Sequence, residues 1–177
     1  MKLAHLTMLA AVLATPVSAE TPVVPEVNPP GDIPDNQVFI DFVSPNGFAI
    51  KIPEGWARKD DGATTTFNDK YNHIVLTTVQ GPTPNDQTAL VHDVLTSGRA
   101  VADISAKSMK AAGSTALVIT YSSNSEPNAV TNKQVREENE KLIFAKADRR
   151  VEVTLSAPKG ADNVDQWNLI AKSFRWR

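Results

Sequence analysis

Few residues in this sequence combine type and spacing into recognisable chemistry. His73 has Asp69 four residues before it across a turn. An Asp–His pair is the beginning of a general base or of a metal site. Zinc, however, needs three or four ligands at constrained spacing, and neither a third histidine nor any cysteine is near. Asp69 and His73 are thus the metal candidates, with Asp60 and Asp61 behind them; all four also fit solvated turns. His92, next to Asp93, lies beside the apolar stripe of a helix.

The remaining polar residues point away from catalysis. No serine sits in a nucleophile elbow or in a Ser-x-x-Lys pattern that would reach a base, and Ser105-Ala106-Lys107-Ser108 alternates on a strand. Glu137, Glu138 and Glu140 evoke a calcium or glycosidase site. On a strand, though, Glu138 and Glu140 share one face and Glu137 the other, and Arg136 and Lys141 flank them. They read as a solvated strand that resists edge pairing. No glycine loop suited to a phosphate occurs. The expectation is therefore no catalytic residue and no cofactor. Among the aromatics, Trp56 follows a turn and could line a groove, Trp176 could be fixed at one by a short edge strand, and Trp167 fits a helix core.

The first 19 of the 177 residues position nothing in the fold. Lys2 precedes an apolar run from Leu3 to Leu13, too short to span a bilayer. Pro16 follows, then small residues at Val17-Ser18-Ala19, the pattern of a cleavable signal peptide with cleavage near Ala19. A soluble product of 158 residues in the periplasm or outside the cell is expected, with no membrane anchor. It carries 17 basic and 20 acidic residues, a net charge of −3, which argues against a nucleic-acid surface. Cysteine is absent, so stability must come from apolar burial. Residues 20–36 hold Pro22, Pro25, Pro29, Pro30 and Pro34. They read as a proline-rich flexible leader that contributes little to stability.

From residue 37 to 177 one domain follows. Val38–Val43 and Phe48–Ile52 flank Ser44-Pro45-Asn46-Gly47, a strong hairpin signal. A second pair, Thr64–Phe67 and His73–Val79, turns near Asn68–Tyr71, and its second strand looks covered on both faces. A helix is expected with Thr83 as its cap, Pro84 at its first position, Leu90, Val91, Val94 and Leu95 as its stripe, and Gly98 at its end. Two hairpins come next: Val101–Met109 with Ser114–Tyr121, and Gln134–Lys146 with Val151–Ser156. In the last, Val151, Val153 and Leu155 alternate with Glu152, Thr154 and Ser156. A closing helix from about Asp162 should bury Val164, Trp167, Ile170 and Phe174 and leave Gln166 in water.

Helices with one apolar face must lie on the sheet. The expected fold is α+β: an α/β/α sandwich with a twisted, mostly antiparallel sheet and two main helices packed on it. The run Phe48-Ala49-Ile50-Lys51-Ile52-Pro53-Glu54-Gly55-Trp56, with Phe67-Asn68-Asp69-Lys70 after it, resembles the PsbP-like fold family. So does the ending, where Leu155-Ser156-Ala157-Pro158 leads to a helix with Trp167 and then Ser173-Phe174-Arg175-Trp176. The resemblance implies the sandwich and no shared catalytic motif. It fits an exported, soluble, non-catalytic module for a protein partner or small ligand. A periplasmic hydrolase-like enzyme and a metal-binding accessory protein are the alternatives.

Overall fold

Two short apolar runs and a proline–asparagine–glycine turn open the domain. Strands β1 (Phe39–Ser44) and β2 (Phe48–Pro53) pair antiparallel, with Ser44 opposite Phe48. Gly47 closes the turn through its amide on the Ser44 carbonyl and takes φ +82°, where a side chain would be strained. A Cβ there would also press on the Arg149 guanidinium at 3.3 Å. The two-residue strand β10 (Arg175–Trp176) joins the other edge of β2 and completes a three-stranded sheet.

The larger sheet has seven antiparallel strands in the order β3-β4-β5-β9-β8-β7-β6. They are β3 (Ala57–Asp61), β4 (Thr64–Asn68), β5 (His73–Gln80), β6 (Ala102–Ala111), β7 (Ser114–Asn124), β8 (Arg136–Lys146) and β9 (Arg149–Pro158). Helix α1 (Gln87–Ser97) connects β5 to β6, and α2 (Val164–Ser173) leads into β10. The computed structural model describes residues 20–177 apart from Pro84, Asn85, Gly98 and Ala112. The expected signal peptide, the opening proline of α1 and its closing glycine lie outside the described residues.

Period-two alternation gives the large sheet two faces. One carries Ile74, Leu76, Val118, Leu142, Phe144, Val151, Val153 and Leu155 against the small sheet and α2. There Phe174 stacks on Phe144, ring centroids 3.7 Å apart, and on Phe48 at 5.6 Å. On the opposite face Leu90 and Val94 of α1 cover Ile119 and Ile143, with Leu117 and Tyr121 at the margin. The fold is thus α+β and antiparallel, with α2 and a small sheet on one side and α1 on the other. The opening hairpin does not extend the main sheet.

Five local expectations change in the structure. Residues 20–36 have no regular secondary structure, as their prolines require, but they are strapped to the domain. Ile33 is 3% exposed and its amide donates to Asn163 Oδ1 at 2.7 Å. Asn72 and Asn163 both donate to the Gly31 carbonyl at 3.0 Å, and Asn124 bonds Thr21 and Val23. Gly31 has φ +122°, and a Cβ there would lie 3.1 Å from Pro158. The segment is a strap because polar side chains of the domain satisfy the backbone groups its prolines leave unpaired.

Second, the closing helix turns a different face inward. Gln166, Ile170, Ala171 and Phe174 are buried, Trp167 is half-buried, and Val164 is 65% exposed. Gln166 is buried because the strap lies there, and its Nε2 donates to Asp35 at 3.3 Å. Third, Asp86 rather than Thr83 opens α1: its Oδ1 accepts from Thr88 N–H at 2.8 Å, while the buried Thr83 hydroxyl has no partner among the described residues. Fourth, Ala57–Asp61 forms an edge strand with every residue exposed. Charged residues without alternation hid it, and those charges suit an unpaired edge. Asp60 and Asp61 are therefore strand residues, and Asp60 is held by Arg58 and Thr65. Fifth, β5 is fully covered on one face only, since Val75, Thr77 and Val79 are half-buried.

Candidate functional site

Strand register sets one polar row across the face that α1 leaves open. Asn68 is opposite His73, His73 opposite Ser156, Ser156 opposite Asn139, and Asn139 opposite Tyr121. Five neighbouring strands each contribute one member, and Glu137 and Ser123 begin the next row. Here the sheet outgrows its helix, so polar residues sit at strand ends that would otherwise be core.

Most of these groups are already engaged. Ser156 donates its hydroxyl proton to Asn139 Oδ1 at 2.6 Å, and Asn139 Nδ2 donates to Ser123 at 2.9 Å. His73 Nδ1 lies 2.8 Å from Asn68 Oδ1, which places the proton on Nδ1 and leaves Nε2 with its lone pair. Burial lowers the His73 pKa, with the Asp69 charge pulling the other way. Asp69 Oδ1 accepts the amides of Tyr71 and Asn72, both at 2.6 Å, and holds the β4–β5 turn. Asp69 and His73 are thus near one another, each tied to a structural partner. Among the described residues no three His, Asp or Glu side chains converge as a metal would require.

His73 and Ser156 of the row, with Glu137 beside them, floor a groove of about 520 Å³. Glu26 and Pro30 of the strap form one wall, and the loop between β7 and β8, with Glu126 and Lys133, forms another. Lys70 and Tyr71 stand at the rim, the ammonium 5.0 Å from the ring centre. Burial, with the Glu126 charge, pushes the Glu137 carboxyl up to about 7. Burial and the Glu137 charge push the Tyr121 hydroxyl up to about 12. The glutamate strand is therefore no solvated edge: β8 lies between β7 and β9, and Glu137, Glu138 and Glu140 are half-buried. Its flanking charges masked a central strand.

A second groove, of about 330 Å³, lies on the other face between α2 and strands β6 to β8. Glu138 and Glu140 reach it together, as their shared face requires, and Trp167 lines it. The aromatics expected at a groove sit elsewhere. Trp56 packs half-buried against the main core. Trp176 stands edge-on to Phe174 at 5.3 Å, with Arg149 and Lys146 over its ring at 5.0 and 5.7 Å. Cations already occupy that indole face, and neither ring lines either groove. His92 is exposed on α1, away from both.

No protein-family model matches the chain, and no curated protein matches it. The likeness is to solved structures. Cyanobacterial PsbP from Synechocystis sp. PCC 6803 is similar with a TM-score of 0.56 at 15% identity, over 83% of this chain and 98% of that one. The Ran-binding protein Mog1p of Saccharomyces cerevisiae gives 0.50 at 8% identity, over 79% and 96%. A Bacteroides thetaiotaomicron protein gives 0.52 at 13% identity over 77% of this chain, which spans only 48% of that one. These likenesses show a PsbP-like fold. No helix among the described residues is long and apolar enough to cross a membrane.

Proposed function

We propose that this chain is an exported, non-catalytic binding module that holds a protein segment or small ligand in the groove on the open half of its large sheet. The observation that carries this reading is the state of the polar row. Its one hydroxyl beside a histidine, Ser156, gives its proton to an amide and not to a base. A nucleophile needs the opposite arrangement, with the base taking the hydroxyl proton and a third group orienting the base. The groove has the volume typical of ligand sites and offers both charges at its rim, Lys70 and Lys133 against Glu26 and Glu126. The fold likeness adds a prior, since one neighbour is a Ran-binding protein. Export rests on the signal-peptide pattern alone and predicts a native chain beginning near Glu20. Mass spectrometry of the protein from its host checks this, and an intact Met1 would refute it.

Binding is tested with p-benzoylphenylalanine placed at Tyr71 of the full chain, crosslinked in the native host. A discrete adduct is expected, lost in Lys70→Glu and Lys133→Glu. The same adduct from a probe at Ala106, on the exposed edge strand β6, would count against the groove. Ester or amide hydrolysis by the purified chain, abolished in Ser156→Ala, would replace this reading with an enzymatic one.

A further inference from the structure

The second groove has a different chemical character from the first, and its ligand follows from its own residues. Strand register puts Thr120 opposite Glu140 on the floor, and Lys107 rises from the neighbouring strand β6. Trp167 forms the facing wall, its ring packed in part on the main core and in part lining the opening. Several polar groups near the mouth are committed. Asp103 accepts from Ser122 at 2.8 Å and from Lys159 at 2.5 Å, and Glu138 accepts from the Gly160 amide.

The others are not. Among the described residues no side-chain hydrogen bond involves Glu140, Lys107, Thr120 or Asn168. They supply a carboxylate, an ammonium, a hydroxyl and an amide around one indole. Burial raises the Glu140 pKa, and the Lys107 charge opposes that rise, so the carboxylate is short of donors where it sits. The charges almost cancel: Asp103, Glu138 and Glu140 face Lys107 and Lys159. An anion would meet two half-buried carboxylates, and a cation would meet Lys107 and Lys159.

We propose that this groove binds a neutral polyhydroxylated ligand, a mono- or disaccharide, with a C–H face of the sugar ring on Trp167 and its hydroxyls bonded to Glu140, Lys107, Thr120 and Asn168. A hydroxyl both donates and accepts, so adjacent hydroxyls of one ring satisfy a carboxylate and an ammonium together. The indole supplies apolar contact that such a ring, with its hydroxyls at the rim, can use. The site is separate from the groove of the proposed function and stands or falls without it.

The test titrates the full chain with cellobiose, maltose and N,N′-diacetylchitobiose, with arginine methyl ester as a cationic probe, by calorimetry and ligand-observed NMR. At least one disaccharide is expected to bind with a millimolar or tighter Kd. Trp167→Ala should weaken it by about tenfold or more. Because that change also thins the core, Lys107→Ala and Glu140→Gln provide the decisive arm, each with a loss of about threefold or more. Tyr71→Ala, in the other groove, should leave the Kd unchanged. The proposal is overturned if no disaccharide binds up to about 10 mM. It is equally overturned if Lys107→Ala and Glu140→Gln leave binding intact, if Tyr71→Ala abolishes it, or if the arginine ester binds in preference to every sugar.

Discussion

Glu137 stands half-buried at the base of the open groove, and its carboxyl titrates near 7 instead of its ordinary 4.5. The folded state therefore holds that proton more tightly than the unfolded chain. Stability from this group is complete at acid pH and is lost as pH rises from about 4.5 through 7. Glu137→Gln removes the liability. It should be more stable than the parent at pH 8 by about 1–2 kcal/mol, a shift discounted for solvent screening, and no more stable at pH 4.5. Urea midpoints at the two pH values check this, and an equal gain at both would mean a packing effect. Glu152 has the opposite sign: burial raises its pKa, but Lys141 at 2.6 Å and Arg150 at 2.7 Å outweigh that and lower it. Its contribution is present above the ordinary carboxylate range and fades as pH falls. His73 acts in the same direction, since a base with a depressed pKa favours folding while it stays neutral. The loss in the parent as pH rises through neutrality thus comes from Glu137 and its half-buried neighbours Glu138 and Glu140, whose carboxyls burial also raises. Tyr121 adds a loss of the same sign only above its ordinary value of 10.

At the scale of the element, α2 shows how a helix chooses its inward face. Spacing alone favours Val164, Trp167, Ile170 and Phe174, the apolar set. The structure buries Gln166, Ile170, Ala171 and Phe174, because one flank of the helix meets the polar strap and the other meets aromatic core. Ser173 fixes the helix end, donating to the Ile170 carbonyl at 2.6 Å and accepting from Lys51 N–H at 2.8 Å. A substitution series then has a defined order. Ile170→Ala should cost about 2–5 kcal/mol by leaving a core cavity. Gln166→Ala should cost about 1 kcal/mol, chiefly the lost bond to Asp35, and Val164→Ala less than about 0.5 kcal/mol. Denaturant unfolding ranks them. A Val164→Ala cost equal to that of Ile170→Ala would restore the face that apolar spacing suggests.

Over the whole molecule the strap is the long-range tie. Ile33 and Asn163 are 130 residues apart in sequence, yet the Ile33 amide bonds the Asn163 side chain, which also reaches Asn72 on the β4–β5 turn. Strap, turn and the start of α2 thus meet at two buried asparagines. Deleting residues 20–36 exposes Ile33's site and removes the strap's bonds to both amides, which keep only each other and Asp69 among the described residues. It should lower stability by more than about 2 kcal/mol, and Ile33→Ala alone should cost about 2–4 kcal/mol. Unfolding curves of the truncated and full mature chains decide this; superimposable curves would return the segment to the role of a free tail. Because Glu26 and Pro30 also wall the open groove, truncation should weaken binding there as well.

What the sequence determined by itself is local. The hairpins at Ser44–Gly47 and Ala147–Arg150, the alternation of Val151, Val153 and Leu155, and the helical spacing of Leu90 and Val94 all depend on interactions within a few residues. Period two, period 3.6 and turn chemistry act at that range, so the α+β class and the antiparallel pairing were legible. The tertiary structure decided whatever rests on partners far along the chain. Nothing within residues 20–36 announces Asn72, Asn124 or Asn163, so the strap reads as a tail. Nothing within Arg136–Lys146 says that strands flank it on both sides, so its glutamates read as solvated. The site followed the same rule. Asn68, His73, Ser156, Asn139 and Tyr121 come from five strands spread over most of the domain, and only the register of four strand pairings makes them one row. Trp167 was legible as an apolar helix residue, but its place at a groove depends on Lys107 and Glu140, which strand pairing brings to the same face.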